Sequence, residues 1–410
     1  MHDGDLHGGD GAVALDLKNL KVISPLGRGA KGVVFLVETE SGELLALKAM
    51  LRSSIEKKKK IASAGDGSEY RRICFEREVL ASFHHPLLPR LHGVLATDKV
   101  VGYAIDYCSG RDLHCLRKKQ TEKMFSDDVI RFYAAELVLA LEYLHSLGVV
   151  YRDLKPENVM IQESGHLMLV DFDLSTRLAP RSPENRSVSS SDSDPLAKKP
   201  KPKKKLFSFR SRRRDSGISP VNREETESDS ASTASESVDK SNSFVGTEEY
   251  VAPEVVLGNG HDFAVDWWCL GVMLYEMLYG ATPFRGANRK ETFYRIVTRA
   301  PDLTGESTPL RGLIGRLLEK DPRKRISAGE IKGHDYFKAV DWESITEMPR
   351  PPFIPELTDV GGTDGNNEID VEKYVEGVFE EKAENNNRNK NAWVNKNHPT
   401  QIQNDNFLIF

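Results

Sequence analysis

Between Leu20 and about Asp106, apolar residues come in short runs broken by glycine and polar turns. KVISPLGRGAKGVVFLVETE predicts strand, glycine turn and strand, and GELLALKAM a further strand. The exception is YRRICFEREVLASF (70–83), where Ile73, Phe75, Val79 and Leu80 recur at helical spacing. From Phe125 onward the pattern is helical. SDDVIRFYAAELVLALEYLHSLG opens with Ser126 and two aspartates and closes at Gly148, the start and stop signals of one long helix. A strand-rich part (20–106) followed by a helix-rich part (107–337) predicts an α+β fold of two lobes with a crevice between them.

The pattern breaks after Leu178. Residues 179–242 are rich in Ser, Pro, Asp and Lys with few large apolar residues, too few to offset the entropy of ordering, so they are expected to be a disordered insertion. The same is expected of residues 1–19. The pattern resumes at NSFVGTEEYVAPEVV and runs through FAVDWWCLGVMLYEMLYG to about Phe337; the tail, 338–410, is polar, Asn-rich and ends in NFLIF.

Composition narrows the class. The chain has 410 residues, 39% of them hydrophobic, enough for a sizeable core. A net charge of -5 argues against nucleic acid as a partner of the whole protein. No apolar run approaches the roughly 18 residues that span a bilayer. An acidic, Gly-rich start without Gly at position 2 predicts neither signal peptide nor myristoylation. Cys74, Cys108, Cys115 and Cys269 show no paired or metal-binding spacing, which suits free thiols in a reducing, cytoplasmic setting.

The candidate chemistry starts at Leu26-Gly27-Arg28-Gly29-Ala30-Lys31-Gly32-Val33-Val34. Glycines at this spacing let backbone N–H groups close over phosphates. A dinucleotide-binding loop would run into a helix, whereas a Val-rich strand follows here. Lys48 stands on the next strand, placed to meet the phosphates of ATP. Such a lysine needs an acidic holder on a helix; spacing favours Glu76 over Glu78.

VYRDLKPENVM carries Asp153, Lys155 and Asn158 at fixed offsets in one loop. The Asp can accept a substrate hydroxyl proton, and the Asn amide oxygen can bind a metal. A merely charged turn would explain polar residues but not their order. Asp171 follows the apolar strand HLMLV, where a carboxylate can chelate Mg²⁺ bridging the phosphates. Ala252-Pro253-Glu254 completes a fourth pattern. In this order the four resemble the eukaryotic protein kinase family over residues 20–337, the insertion excepted. The resemblance implies a bilobal fold, with an antiparallel-sheet N-lobe (20–106) bearing helix C and a mainly helical C-lobe (107–337), and it implies use of ATP and Mg²⁺.

Lys155 resembles the serine/threonine branch. Tyr151 in place of the usual His, SFVGTEEYVAPE, the PPFIP at 351–355 and the terminal F-x-x-F resemble the AGC group, with its C-terminal tail (338–410). Asp171-Phe172-Asp173 where D-F-G is usual, and the insertion, resemble the plant AGC VIII branch and its oxidative signal-inducible type, which implies a role in stress signalling.

By the same resemblance, Ile105 is the gatekeeper and Asp106 and Cys108 form the adenine-binding hinge. Glu254 and Arg325 brace the C-lobe, and Asp266 holds the catalytic loop. Asp112, Glu157 and Glu276 read Arg or Lys upstream of the acceptor in protein substrates. Ser243 is an activating phosphosite whose phosphate meets Arg152. Phe407 and Phe410 dock a 3-phosphoinositide-dependent protein kinase, and the enzyme is expected to be a monomer. KKPKPKKKLFSFRSRRR (198–214) is either a nuclear import signal or a patch for anionic lipid at the plasma membrane, with Ser216 as a phosphosite that would weaken it. At Asp173 the expectation is a backbone cost of about 1–2 kcal/mol, because glycine enters φ > 0 freely and Asp does not. Its extra carboxylate is also expected to change metal affinity. The rival is a scaffold that binds ATP without chemistry. The intact set Lys48, Glu76, Asp153, Lys155, Asn158 and Asp171 argues against it.

Overall fold

Six strands build the sheet of the first lobe: β1 (Ala14–Leu15), β2 (Leu20–Arg28), β3 (Val33–Thr39), β4 (Leu44–Leu51), β5 (Leu91–Ala96) and β6 (Val100–Asp106). They lie in the order β1-β5-β6-β4-β3-β2. β2 to β6 pair antiparallel, and β1 joins β5 in parallel. Strand alternation assigns the faces. Leu45, Leu47 and Ala49 of β4 join Phe35 and Val37 of β3 in one buried cluster. Met50 and Tyr103 pack on the other side with Ile73, Val79 and Leu80 of the helix α1 (Ser68–Ala81).

The computed structural model describes residues 13–29, 31–56, 68–178, 247–260, 262–348, 351–355 and 369–379, all of them within one compact unit. The insertion 179–242, the basic run 198–214 with Ser216, Ser243, Phe407, Phe410 and Ala30 lie outside the described residues.

Two stretches outside the predicted strands contribute to the sheet lobe. β1 corrects the expectation of disorder at residues 14 and 15; residues 1–12 lie outside the described ones. Ala14 pairs with Val94 and Leu15 with Leu95, which lengthens the sheet at β5. Two residues are too short a run for a period to show. In the tail, residues 371–379 are helical. Val371 and Val375 are fully buried in the cluster of Phe35 and Leu47, with Val378 and Phe379 alongside. The spacing i, i+4, i+7, i+8 makes one apolar stripe. Tyr374 meets Phe35 edge-on, its ring centroid 5.4 Å away, and Lys99 meets Glu376 at 3.0 Å.

The second lobe contains α2 (Leu113–Lys118), α3 (Asp127–Ser146), α4 (Pro253–Val256), α5 (Ala264–Tyr279), α6 (Arg289–Thr298), α7 (Pro309–Leu317) and α8 (Ala328–Lys332). Two short strand pairs accompany them: β7 (Val149–Val150) with β10 (Thr176–Arg177), and β8 (Val159–Ile161) with β9 (Leu167–Leu169). α3 begins after Ser126, whose side chain makes no capping bond, and stops where Gly148 takes a left-handed φ of 74°. α5 is buried on every side from Val265 to Met277, as befits the central helix of a lobe. Arg325 donates to both oxygens of Glu254, at 2.7 and 3.0 Å, and both side chains are buried.

Among the described residues no helix is long and apolar enough to cross a membrane. The four cysteines are free thiols.

Candidate active site

Between the sheet and the helices lies a cleft of about 440 Å³, within the range of small-molecule sites. Its roof is the turn from β2 to β3. The registers Gly27↔Val34 and Val34↔Lys48 set the returning strand beside the lysine. Gly29 N–H donates to the Gly32 carbonyl at 2.9 Å. At Gly32 a Cβ would stand 2.5 Å from the Ala49 carbonyl oxygen, so only glycine lets β3 start this close to β4. Leu26 and Val34 line the roof, with Ala46, Ile105, Met160 and Val170 completing the apolar walls.

At the polar end, Lys48 Nζ lies 2.8 and 3.0 Å from the two oxygens of Glu76. Burial works against the lysine's charge, but Glu76, then Tyr103 and Asp171, outweigh it and raise its pKa well above the ordinary value. The ammonium is therefore fixed as a cation. Glu78, the alternative holder, is exposed on the other side of α1 and pairs with Arg177 at 3.1 Å. Tyr103 is a site residue that no motif flags; its register opposite Lys48 on β6 puts its ring 5.5 Å from the ammonium.

Next to the cleft-lining Asp171 comes the loop after β7, whose Asp153 feels the Asp171 charge. Asp153 is buried, with Lys155 Nζ at 2.8 Å and Asn158 Nδ2 at 2.9 Å from its Oδ2. Burial pushes the Asp153 carboxyl up, against Lys155, which pulls it down. Because Asn158 turns its amide nitrogen to Asp153, its oxygen points away. Asp266, in the first turn of α5 and wholly buried, accepts from the Tyr151 and Arg152 N–H groups at 2.9 and 2.8 Å and from His145 Nε2 at 2.8 Å. These bonds hold Arg152 at a left-handed φ of 68°, a strain of about 1–2 kcal/mol. Arg152 Nε donates to the Leu174 carbonyl. Tyr151 OH donates to the Val170 carbonyl, joining this loop to the strand that delivers Asp171.

Asp171 itself takes a φ of 60°, and Phe172 is buried against Phe83 and Tyr151 at ring distances of 4.8 and 5.3 Å. This corrects the expectation for Asp173, which is not among the residues with positive φ. The strain sits at Asp171. The Asp173 carboxylate contacts the Lys31 ammonium across the cleft.

At the hinge, the Asp106 carboxylate accepts from the Arg90 N–H and His92 Nε2, each at 2.7 Å. Burial acts to raise its pKa, but His92 and Arg90 hold it below the ordinary value. Cys108 packs against Met168, and burial pushes its thiol up. Both side chains are thus engaged, and both residues line the cleft.

The three candidate substrate-reading acids are not alike. Asp112 is buried as the N-cap of α2 and accepts from Cys115 N–H at 2.6 Å. Glu276 is likewise buried, bound by Arg117 Nη2 at 2.6 Å and by Tyr250 OH. Glu157 alone is open, 39% exposed at its side chain, with His114 at 3.2 Å. Asp112 and Glu276 thus carry local bonds that Glu157 does not share.

The donor set fits a nucleotide with a divalent cation. Asp171, which lines the polar end, offers carboxylate oxygens and Asn158 an amide oxygen, and no cluster of three or more His, Cys, Asp or Glu occurs among the described residues. A cation held by one or two protein oxygens and completed by phosphates matches this.

A sequence profile described as protein kinase domain matches residues 20–192 and 228–337. The chain is 59% identical to the serine/threonine-protein kinase OXI1 of Arabidopsis thaliana over 97% of its own length and 98% of the relative's. It is 43% identical to the serine/threonine-protein kinase UCN of the same plant, over 86% and 88% of the two chains. It is 41% identical to phototropin-2 of Oryza sativa subsp. japonica, over 85% of this chain and 35% of that one.

Proposed function

The chain belongs to the protein kinase family, as a serine/threonine kinase of the AGC type, and from that premise we propose how its residues divide the work. It uses ATP and a divalent metal and acts on protein substrates. When bound, the metal, which we take to be Mg²⁺, would supply charge neutralisation on the phosphates. Asn158 and Asp171 would hold it. The glycine loop and Lys48 bind the phosphates, Glu76 fixes Lys48, and the backbone at Asp106 and Cys108 meets the adenine.

Asp153 orients the Ser or Thr hydroxyl and takes its proton as the new O–P bond forms and the bond to the ADP leaving group breaks. Lys155, 2.8 Å from that carboxylate, keeps Asp153 ionised. The observation that carries this reading is that Lys48, Glu76 and Asp171 line one cleft, while Asp153, bound by Lys155 and Asn158, stands close enough for the Asp171 charge to act on it.

Substrate preference rests on Glu157, the accessible acid, which favours a basic residue upstream of the acceptor. Activation is proposed to run through a phosphate on Ser243, which Arg152 supports as a receptor. The phosphate would be installed by a 3-phosphoinositide-dependent kinase docked on Phe407 and Phe410. A role in oxidative-stress signalling, a monomeric state, and binding of anionic lipid or nuclear import through 198–214 follow from the resemblance and the basic run. The test is a peptide series with arginines moved or removed, phosphorylated before and after treatment with the upstream kinase, using wild type and Ser243→Ala. The reading predicts a higher KM without upstream Arg and activation that needs Ser243. A flat series, or full activation of Ser243→Ala, overturns these refinements.

A further inference from the structure

Lys31 is one of two basic side chains in the glycine loop, and the two reach in different directions. Arg28 Nη2 donates to the Val378 carbonyl of the tail helix. Lys31 enters the cleft and meets Asp173, with side-chain exposures of 13% and 21%. Both Lys31 and Asp173 line the cleft together with Lys48, Glu76 and Asp171. The polar end thus holds three carboxylates against two ammonium groups. An incoming polyphosphate is itself an anion. Asp173 would repel it, and would compete with it for Lys48, unless its charge were matched nearby. The field of Asp173 does reach this far, since it contributes to the raised pKa of Glu76. Arg28 is engaged by the tail, which leaves Lys31 as the loop cation that meets this charge.

We propose that Lys31 and Asp173 act as one nucleotide-positioning pair: Lys31 cancels the charge that the unusual Asp173 brings to the phosphate site, and their contact holds the glycine loop down over it. The pair rests on the nucleotide-binding reading above. It also gives the third position of Asp171-Phe172-Asp173 a purpose that backbone freedom does not, because Asp173 lies outside the left-handed region.

The test is a two-by-two set: wild type, Lys31→Met, Asp173→Asn and the double variant. Two quantities are read, the Kd of ADP with Mg²⁺ and hydrogen exchange of amides 27–34 without nucleotide. Lys31→Met is predicted to weaken ADP about tenfold when Asp173 is present and about twofold or less beside Asp173→Asn, a coupling typical of contacting charges. Loop exchange is predicted to quicken in each single variant and no further in the double. Equal weakening in both backgrounds, or loop exchange unchanged in the single variants, overturns the pair. A wild type that binds no ADP overturns the nucleotide reading beneath it. Loop exchange then decides the contact alone.

Discussion

Lys48 on β4 lies 2.8 Å from Glu76 on α1, while Glu78, two residues on, turns away to Arg177 at 3.1 Å. A helix advances about 100° per residue, so two carboxylates so close in sequence cannot serve one cleft. Glu76→Gln is predicted to lower kcat/KM about 100-fold, the scale of a misplaced phosphate-binding group. Glu78→Gln should change it less than about twofold, since an exposed ion pair is worth little. Steady-state kinetics of the two variants check this, and equal losses would contradict it.

The proposed role of Asp153 as proton acceptor makes a prediction in pH. Only the ionised Asp153 carboxylate can take a proton, and burial raises its pKa while Lys155 opposes the rise. Activity should therefore fall on acidification at a pH above the ordinary carboxylate value of about 3.9. Lys155→Met removes the opposing charge, so the acid limb of kcat/KM should move to higher pH, by about one unit or more. A limb that stays in place would show that Asp153 is not the titrating group.

Substrate reading separates Asp112 from Glu157. Asp112→Ala should behave as the loss of a helix cap, costing about 1 kcal/mol of stability, with the KM of an Arg-containing peptide unchanged. Glu157→Gln should leave stability alone and raise that KM about tenfold, the worth of a charge-assisted hydrogen bond. Thermal melts and peptide kinetics on both variants test the division; a KM effect confined to Asp112→Ala would reverse it.

The brace between Glu254 and Arg325 is a matter of stability. Removing Arg325 leaves a buried carboxylate without its partner, so Arg325→Ala should destabilise the fold by about 3–5 kcal/mol. Urea unfolding measures this. A change below about 1 kcal/mol would mean that water or another cation replaces the arginine.

Much of the site was legible because kinase chemistry is written in local motifs. Asp153, Lys155 and Asn158 share one loop, the glycines share one turn, and helical spacing chose Glu76 over Glu78. What escaped the sequence depends on contacts between distant segments. Nothing in DLHCL shows that Asp112 spends its oxygens on the helix it starts. Glu276 meets Arg117 across 159 positions, and Lys31 meets Asp173 across 142. The strain expected at Asp173 sits two residues earlier, because the bonds around Tyr151 and Val170 fix the chain there. The helix at 371–379 was hidden by a polar, Asn-rich composition. Its few apolar residues matter because they fall on one face, opposite a sheet that needs a cover.

The most direct measurement is transfer of labelled γ-phosphate from ATP to a Ser-containing, Arg-bearing peptide by the full chain and by Asp153→Asn, after treatment with a 3-phosphoinositide-dependent kinase and with ATP affinity measured beside it. The account predicts transfer to serine by the wild type, and a loss of at least about 100-fold in the variant with ATP affinity kept. A wild type that binds ATP yet transfers nothing, or a variant as active as the wild type, would contradict it.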